Sequence, residues 1–345
     1  MAATLSGGAG VVDWAQDELN VQFHAFQDSR DATILSPTVD LGKDFTDRTS
    51  LRVRFGLDAI SAASDSCVRC HRPGATDKRI VGGVSVTHKL NDDTKVTLGA
   101  EVSHENFYQA TTLLTSVSRN LNKGSTTVAG GYSFSLNRPV LHPSQQTENQ
   151  YAHDAFVSVT QTLTKSTVAQ FGYEIAHISG YQNSPFLRVL VNDQLTLGNS
   201  PNTRTRQTLS ARLRQALPWA TYLETDYRHY LDDWSVHSDA LNVGLSHYVT
   251  PQILANVTYR FYKQTGTFFY APQYLGNPTY FTSDFRLEPF DSGLYGGRLV
   301  ITPRGGIWRL PDGSGVTLEY QRYKSNIGFE AAIFTAGVRI PLGSR

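Results

Sequence analysis

The chain has 345 residues, of which 40% are hydrophobic and only 18% are charged. Its 31 basic and 30 acidic residues nearly cancel, so there is no electrostatic case for nucleic-acid binding. No apolar run reaches the roughly 18 residues of a membrane-spanning helix, and the mean hydropathy of −0.30 would also suit a soluble protein.

Residues 1–12, MAATLSGGAGVV, lack the basic start and the apolar core of a secretory signal. The chain is therefore either a cytoplasmic protein or the mature form of an exported one. The strand pattern that follows favours the mature form.

Alternation of apolar and polar residues with a period of two predicts strands along most of the chain. In TSLRVRFGLDA, for example, Leu51, Val53 and Phe55 share one face, while Arg52 and Arg54 lie on the other. The pattern gives about sixteen strands of roughly the 9–11 residues that a tilted membrane strand needs. They lie near 19–28, 33–42, 49–60, 79–90, 95–105, 111–121, 124–135, 151–163, 166–178, 205–216, 219–230, 236–248, 251–264, 290–303, 315–324 and 328–341.

Connection lengths alternate in the way that outer-membrane barrels show, with short periplasmic turns and long outer loops. The connections after even-numbered strands are mostly tight, such as 91–94 and 250–251. The long ones follow odd-numbered strands, at 61–78, 136–150, 179–204 and 265–289. A soluble sandwich also alternates, but it explains neither this asymmetry nor the aromatics near strand ends, which suit lipid headgroups: Tyr108, Tyr132, Phe134, Tyr151, Tyr230, Tyr248 and Tyr295.

The predicted fold class is therefore all-β, a transmembrane antiparallel β-barrel of about 16 strands in the outer membrane of a Gram-negative bacterium. We expect residues 1–18 to be an N-terminal periplasmic segment and residues 19–341 to be a single barrel. Residues 342–345 would be a C-terminal tail or a remnant of cloning.

The stretch GLDAISAAS, residues 56–64, is similar to a signature of an uncharacterised Gram-negative outer-membrane barrel family. That signature, Asp-x-x-Ser-Gly-Ala-Ser, follows the family's third strand. Asp58, Ser61, Ala63 and Ser64 match it, while Ala62 replaces the glycine. The resemblance implies a barrel location and says nothing about chemistry, because the family is a domain of unknown function.

The only two cysteines of the chain, Cys67 and Cys70, stand directly before His71 in DSCVRCHRPG. This Cys-x-x-Cys-His spacing lets two thiols add to haem vinyl groups while the histidine reaches the iron. We therefore predict one covalently attached haem c, with Cys67 and Cys70 as thioether positions and His71 as the axial iron ligand. Within the resembling family, this insertion departs from the usual loop.

Other chemistries of this motif fit less well. A four-cysteine zinc site is impossible with two cysteines, and a Cys2His2 site lacks a second histidine pair nearby. A thioredoxin-like pair expects alternating strands and helices, which are missing. A plain disulfide between Cys67 and Cys70 stays open, because an oxidising compartment permits it.

The second haem ligand is constrained by composition, since the only methionine is Met1. His24 is the candidate distal ligand, because it alternates with Val21, Phe23 and Ala25 and should face the lumen. Other histidines near outer loops are His104 and His177, which fall on the apolar face, and His142 and His153.

Charged residues of the polar faces are interpreted as the lining of a water-filled channel rather than a catalytic cluster: Arg52, Arg54, Arg212, Arg214, Arg228, Arg260, Glu101, Glu174, Glu224, Asp226 and Glu319. The predicted function is electron transfer at or across the outer membrane, with a cytochrome partner and the outer-membrane lipid as surroundings. The alternative is a passive porin or structural barrel with a disulfide-pinned loop. No feature predicts an enzyme.

Overall fold

The computed structural model describes residues 17–30, 32–63, 75–141, 144–185, 187–305 and 310–343. Strands dominate these ranges, with two short 3-10 turns at Asn122–Gly124 and Phe285–Leu287. Within them, no helix is long and apolar enough to cross a membrane. The strands are β1 (Glu18–Asp28), β2 (Thr33–Thr46), β3 (Thr49–Ala63), β4 (Ala75–Lys89), β5 (Thr94–His104), β6 (Tyr108–Leu121), β7 (Thr126–Pro139), β8 (Gln150–Thr164), β9 (Thr167–Gly180), β10 (Arg188–Val191), β11 (Gln194–Leu197), β12 (Thr203–Leu217), β13 (Thr221–Asp232), β14 (His237–Thr250), β15 (Ile253–Gln264), β16 (Phe290–Ile301), β17 (Gly315–Ser325) and β18 (Glu330–Pro341).

Sixteen of the described strands, all except β10 and β11, close into one antiparallel barrel. Each pairs with its neighbour in the chain, and β1 pairs with β18 from Glu18↔Pro341 to Asp28↔Ala331 to complete the ring. Every strand that alternation predicted is present, with bounds that differ by a few residues. The predicted sixteen-strand barrel is therefore confirmed.

The hairpin of β10 and β11 lies inside the long connection between β9 and β12, where no strand was predicted. Each of its strands has only four residues, which is too short for alternation to identify. Asn192 and Asp193 form the two-residue turn, and both have positive φ angles of 49° and 60°. Such a turn matches the twist of the flanking strands.

The barrel is apolar outside and polar inside. Large apolar side chains stand exposed on the outer face, for example Leu98 at 60%, Phe171 at 63% and Val257 at 61%. Their polar neighbours in sequence point into the lumen, because successive side chains of a strand alternate between faces. A soluble sandwich would bury the apolar face, so this surface requires lipid contact and excludes that alternative.

Three of the aromatic residues assigned to the headgroup level point into the lumen instead. Tyr108 donates to Gln150 Oε1 at 3.2 Å, Tyr230 lines the lumen cavity, and Tyr248 has the inward parity of β14. The assignment was wrong for these three because position along a strand does not decide its face. Tyr132 and Tyr295 do stand exposed on the outer face.

Candidate functional site: the barrel lumen and its long-loop mouth

The Cys-x-x-Cys-His motif belongs to the connection 64–74 between β3 and β4, so Cys67, Cys70 and His71 lie outside the described residues. β3 and β4 pair from Thr49↔His88 up to Ala63↔Ala75. The connection therefore leaves the barrel at the same end as the long connections 181–202 and 265–289. We call this the long-loop end and the other the short-turn end.

A continuous row of apolar side chains lies on the lumen face near the base of this connection. We call it the apolar row: Ile333, Phe26, Ile34 and Ile60, on β18, β1, β2 and β3. Register places each member directly opposite the next, so adjacent Cβ atoms are about 5 Å apart. All four are half-buried. The row gives the lumen face an apolar patch at the barrel end from which the connection 64–74 leaves.

His24 lies two residues from Phe26 on β1, in the next row toward the short-turn end. It faces the lumen as predicted, because Val21 and Phe23 are exposed on the outer face. Its Nδ1 is 2.8 Å from Thr335 Oγ1 on β18. In the tautomer that donates this hydrogen bond, the Nε2 lone pair is available to a ligand in the lumen.

A cluster of charges on β3 and β4 lies beside these rows. Arg79 Nη1 is 3.6 Å from Asp58 Oδ2, and Arg79 Nε is 3.4 Å from Glu105 Oε1. Arg79 also donates to Ser103 Oγ at 2.9 Å. Glu105 belongs to the connection between β5 and β6, where burial raises its pKa and the positive charge of Arg79 opposes that rise. Arg79 therefore has two carboxylate partners near the point where the connection 64–74 leaves the barrel.

The other described candidate histidines point away from the lumen. His104, His153 and His177 all lie on the outer face, as alternation predicted for the first and last. His153 Nδ1 is 2.6 Å from Tyr132 Oη, and His177 Nδ1 is 3.1 Å from Thr205 Oγ1. His142 lies outside the described residues. Of the candidates that the structure describes, His24 is therefore the one that faces the lumen.

A cavity of about 1220 Å³ occupies the lumen beside β8 to β17. One wall carries seven inward-facing arginines, which we call the arginine ladder: Arg204, Arg206, Arg212 and Arg214 on β12, Arg228 on β13, Arg260 on β15 and Arg298 on β16. All of them except Arg214 line the cavity. The predicted polar lining is thus present, with its positive charge concentrated on one arc.

Much of the ladder is neutralised by carboxylates. Asp226 accepts from Arg212 Nη2 at 2.8 Å and Glu224 lies 3.1 Å from Arg214 Nε. Buried Asp232 pairs with Arg204, and on β17 Glu319 pairs with Arg298 at 3.0 Å. The wall opposite, on β4 to β7, carries hydroxyl pairs instead, including Thr87 with Thr97 and Thr112 with Ser135, each at 2.8 Å.

The two longest connections are joined into one structure, which we call the loop cap: residues 181–202, including β10 and β11, and residues 265–289. Asn192 Nδ2 donates to the Gly276 carbonyl, and its Oδ1 accepts from the Gly276 amide, both at 2.8 Å. Asn199 pairs with Phe281 through backbone bonds at 2.9 and 3.0 Å. Val189 of the first connection and Phe269 of the second are buried.

The inner side of the loop cap reaches the lumen, since Gln182, Asp284, Arg286 and Leu287 line the cavity. Burial acts to raise the pKa of Asp284, but the ion pair and hydrogen bonds with Arg286 outweigh it and hold that pKa below its ordinary value. The cap thus places a paired charge, rather than a free one, over the cavity.

No group of three or more histidine, cysteine, aspartate or glutamate side chains in the described ranges is arranged to hold a metal ion. Sequence analysis also missed the apolar row and the loop cap, because both depend on which strands and loops are neighbours. The arginine ladder could have been predicted more fully, because Arg204, Arg206, Arg212 and Arg214 share one parity of β12. The sequence-based prediction includes only Arg212 and Arg214 of these four in the lumen lining.

The closed barrel, its apolar outer belt and its polar lumen define a class, the β-barrels of the Gram-negative outer membrane. Within that class the chain belongs to a family described as a protein of unknown function, DUF3570, whose model matches residues 70–302. The matched range begins inside the Cys67–His71 motif and after the GLDAISAAS stretch. No curated protein matches the chain.

Solved structures share the architecture at very low sequence identity. A BenF-like porin from Pseudomonas fluorescens Pf-5 is 7% identical, with a TM-score of 0.52 over 96% of this chain and 100% of that one. OpdK of Pseudomonas aeruginosa, solved with vanillate, is 6% identical, with a TM-score of 0.49 over 94% and 97%. The ferric enterobactin receptor PfeA of Pseudomonas aeruginosa is 12% identical, with 0.47 over 90% and 54%. The porin likeness shows the fold and nothing finer.

Proposed function

We propose that this outer-membrane barrel carries one covalently attached haem c at its long-loop end and transfers electrons there with a cytochrome partner. The observation that carries the proposal is the Cys67-x-x-Cys70-His71 motif, placed in a connection whose base adjoins the apolar row. When bound, a haem would supply reversible one-electron chemistry at its iron.

The residues present fit this group in two respects. The apolar row offers a half-buried surface of Phe26, Ile34, Ile60 and Ile333, which suits an apolar ring better than the arginine-rich wall of the cavity does. In addition, His24 lies in the adjacent row, and its Nδ1 forms a hydrogen bond with Thr335 Oγ1. A hydrogen bond of this kind fixes the ring orientation of a histidine that ligates a metal.

Each residue then has a distinct role in the proposal. Cys67 and Cys70 would hold the group through thioether bonds, and His71 and, as the candidate distal ligand, His24 would each offer an imidazole nitrogen to its iron. Because the only methionine is Met1, the iron would have two nitrogen ligands and a lower reduction potential than a His/Met site. The partner would be a cytochrome that docks at the long-loop end.

Covalent attachment is tested by expressing the chain together with haem-attachment machinery. The denatured protein should keep its colour, and its mass should exceed that of the polypeptide by one haem, because thioether bonds survive unfolding. Cys67→Ala with Cys70→Ala should abolish both signals, whereas His71→Ala should keep the adduct and shift the spectrum. A two-proton mass loss that a reductant reverses would mean a disulfide and contradict the proposal.

The distal ligand is tested separately with His24→Ala, and His104→Ala on the outer face serves as the matched control. The His24 variant should keep the added mass but change the reduced spectrum from six-coordinate to five-coordinate. The His104 variant should leave both unchanged. An unaltered spectrum in the His24 variant would assign the distal position to another histidine or to the partner.

A passive porin is the second candidate, and the cavity favours it. About 1220 Å³ of lumen lined by charged and polar side chains suits water and small solutes. Ion conductance across planar bilayers together with a colourless chain would support this candidate over electron transfer.

A further inference from the structure

The cavity contains three charged side chains that belong to none of the ion pairs described above. They are Asp154 on β8, Glu174 on β9 and Arg206 on β12, and all three line the cavity. Within the described part of the chain, none has an oppositely charged group within 4 Å. Arg206 Nε is buried without any protein acceptor. These charges are available to a ligand.

Strand register places the three groups around a small hollow. Ala176 of β9 pairs with Asp154 on one side and with Arg206 on the other, so Asp154, Ala176 and Arg206 form a single row. Two strand spacings separate the outer members, which puts their Cα atoms about 10 Å apart. Within this row, buried Ala176, whose side chain is a single methyl group, stands between Asp154 and Arg206.

Glu174 lies in the next row, opposite Thr208 of β12, and is therefore a diagonal neighbour of both Asp154 and Arg206. The hollow thus has two carboxylates on its β8 and β9 side and a guanidinium on its β12 side. Tyr230, which pairs with Thr208, and Gln182 of the loop cap line the same cavity.

Direct pairing between Asp154 and Arg206 would have to span Ala176, and the described side chains do not do so. A half-buried charge without a partner is costly, so a ligand that satisfies both ends gains two sets of charge-assisted hydrogen bonds. Such a ligand needs a cation and an anion a short distance apart. A ligand with one charge would satisfy one side and leave the other uncompensated.

We infer that the lumen contains a binding site for a small zwitterion of the amino-acid class, formed by Asp154, Glu174 and Arg206. The ligand ammonium donates to the Asp154 and Glu174 carboxylates, and the ligand carboxylate accepts from the Arg206 guanidinium. Ala176 leaves the space that the ligand backbone occupies. This site is independent of the haem proposal, because none of its residues belongs to the Cys67–His71 motif, to the apolar row or to the neighbouring row that contains His24.

The site is tested by titrating the purified full chain, in detergent, with three probes in a calorimeter. L-Alanine carries both charges, acetate only the carboxylate and methylammonium only the cation. L-Alanine should bind at least about tenfold more tightly than either half, because each end adds charged hydrogen bonds. Equal binding of acetate and L-alanine, or no binding of L-alanine, would overturn the inference.

Variants assign the two ends. Arg206→Gln and Asp154→Asn should each weaken L-alanine binding about tenfold or more, and Arg206→Lys should restore part of the loss. Arg54→Gln and Glu101→Gln serve as matched controls, because both lie on the lumen face of other strands and should leave binding unchanged. Retained circular dichroism shows that each variant is folded. Equal losses in the controls would mean general lumen electrostatics and would refute a defined site. Because the haem spectrum takes no part in these titrations, the two proposals fail separately.

Discussion

Asp232, at the end of β13, connects more groups than any other carboxylate discussed above. Its side chain is fully buried, with 0% exposure, and it pairs with Arg204 of the ladder. Tyr230 Oη donates to its Oδ2 at 2.6 Å, and the amides of Trp234 and Val236 donate to its Oδ1 at 3.0 and 2.9 Å. Asp232 therefore holds both the lumen wall and the turn between β13 and β14.

Asp232→Asn keeps the shape of the side chain but leaves Arg204 buried without its charge partner. We expect the free energy of unfolding to fall by about 3–5 kcal/mol, measured by urea unfolding in lipid vesicles. Arg214→Gln is the control, because Arg214 is 61% exposed in its pair with Glu224 and should change stability by at most about 1 kcal/mol. Similar losses in both variants would show that burial does not govern the Asp232 pair.

At the scale of elements, the barrel strands could be predicted because one face of each strand meets lipid and the other meets water. Apolar and polar residues therefore alternate along the strand with a period of two. The cross-strand rows could not be predicted. Ile333 and Phe26 meet only because β18 closes on β1, and no pattern within a single strand records which residue lies opposite. The loop cap was missed for the same reason, since its bonds join segments about 80 residues apart, as between Asn199 and Thr279.

Asn192 forms the turn between β10 and β11 with a positive φ angle, and its side chain also bonds to Gly276. One substitution separates these two roles. Asn192→Gly preserves the turn, because glycine adopts positive φ angles freely, but it removes both side-chain bonds to Gly276. We expect the amide of Gly276 to exchange about tenfold faster, as the loss of about one to two hydrogen bonds implies. Hydrogen exchange followed by mass spectrometry measures this.

The control for the cap is Asn106→Gly, in the short connection between β5 and β6. Its backbone amide donates to Asp77 Oδ1, and its side chain makes no hydrogen bond within the described ranges. That variant should leave exchange in residues 265–289 unchanged. If Asn192→Gly also left it unchanged, the two loops would be held together without any contribution from the Asn192 side chain.

On the scale of the whole molecule, the two ends of the barrel differ in how much chain they carry. The loop cap and the connection 64–74 leave from one end. At the other end β8 and β9 are joined by residues 165–166 alone, although residues 302–314 form a longer connection there. This asymmetry predicts that the long-loop end faces outward and the short-turn end faces the periplasm.

Single cysteines test that orientation in intact cells, in a background of Cys67→Ala and Cys70→Ala. Leu275 in the loop cap is 78% exposed, and Trp219 in the turn between β12 and β13 is 87% exposed, so both positions are accessible to solvent or headgroups. A membrane-impermeant maleimide should label Leu275→Cys and not Trp219→Cys, with equal labelling after lysis. The reverse pattern would place the motif in the periplasm.

The pairing of β1 with β18 has a consequence for assembly. His24 and Thr335 share a hydrogen bond although they are 311 residues apart in the chain. Until β18 has been synthesised, β1 presents an unpaired edge, and such edges recruit other strands and drive aggregation. Contacts of this sequence separation also form slowly. The chain must therefore be shielded on its way to the membrane, and the imidazole of His24 acquires its Thr335 partner only in the step that closes the ring.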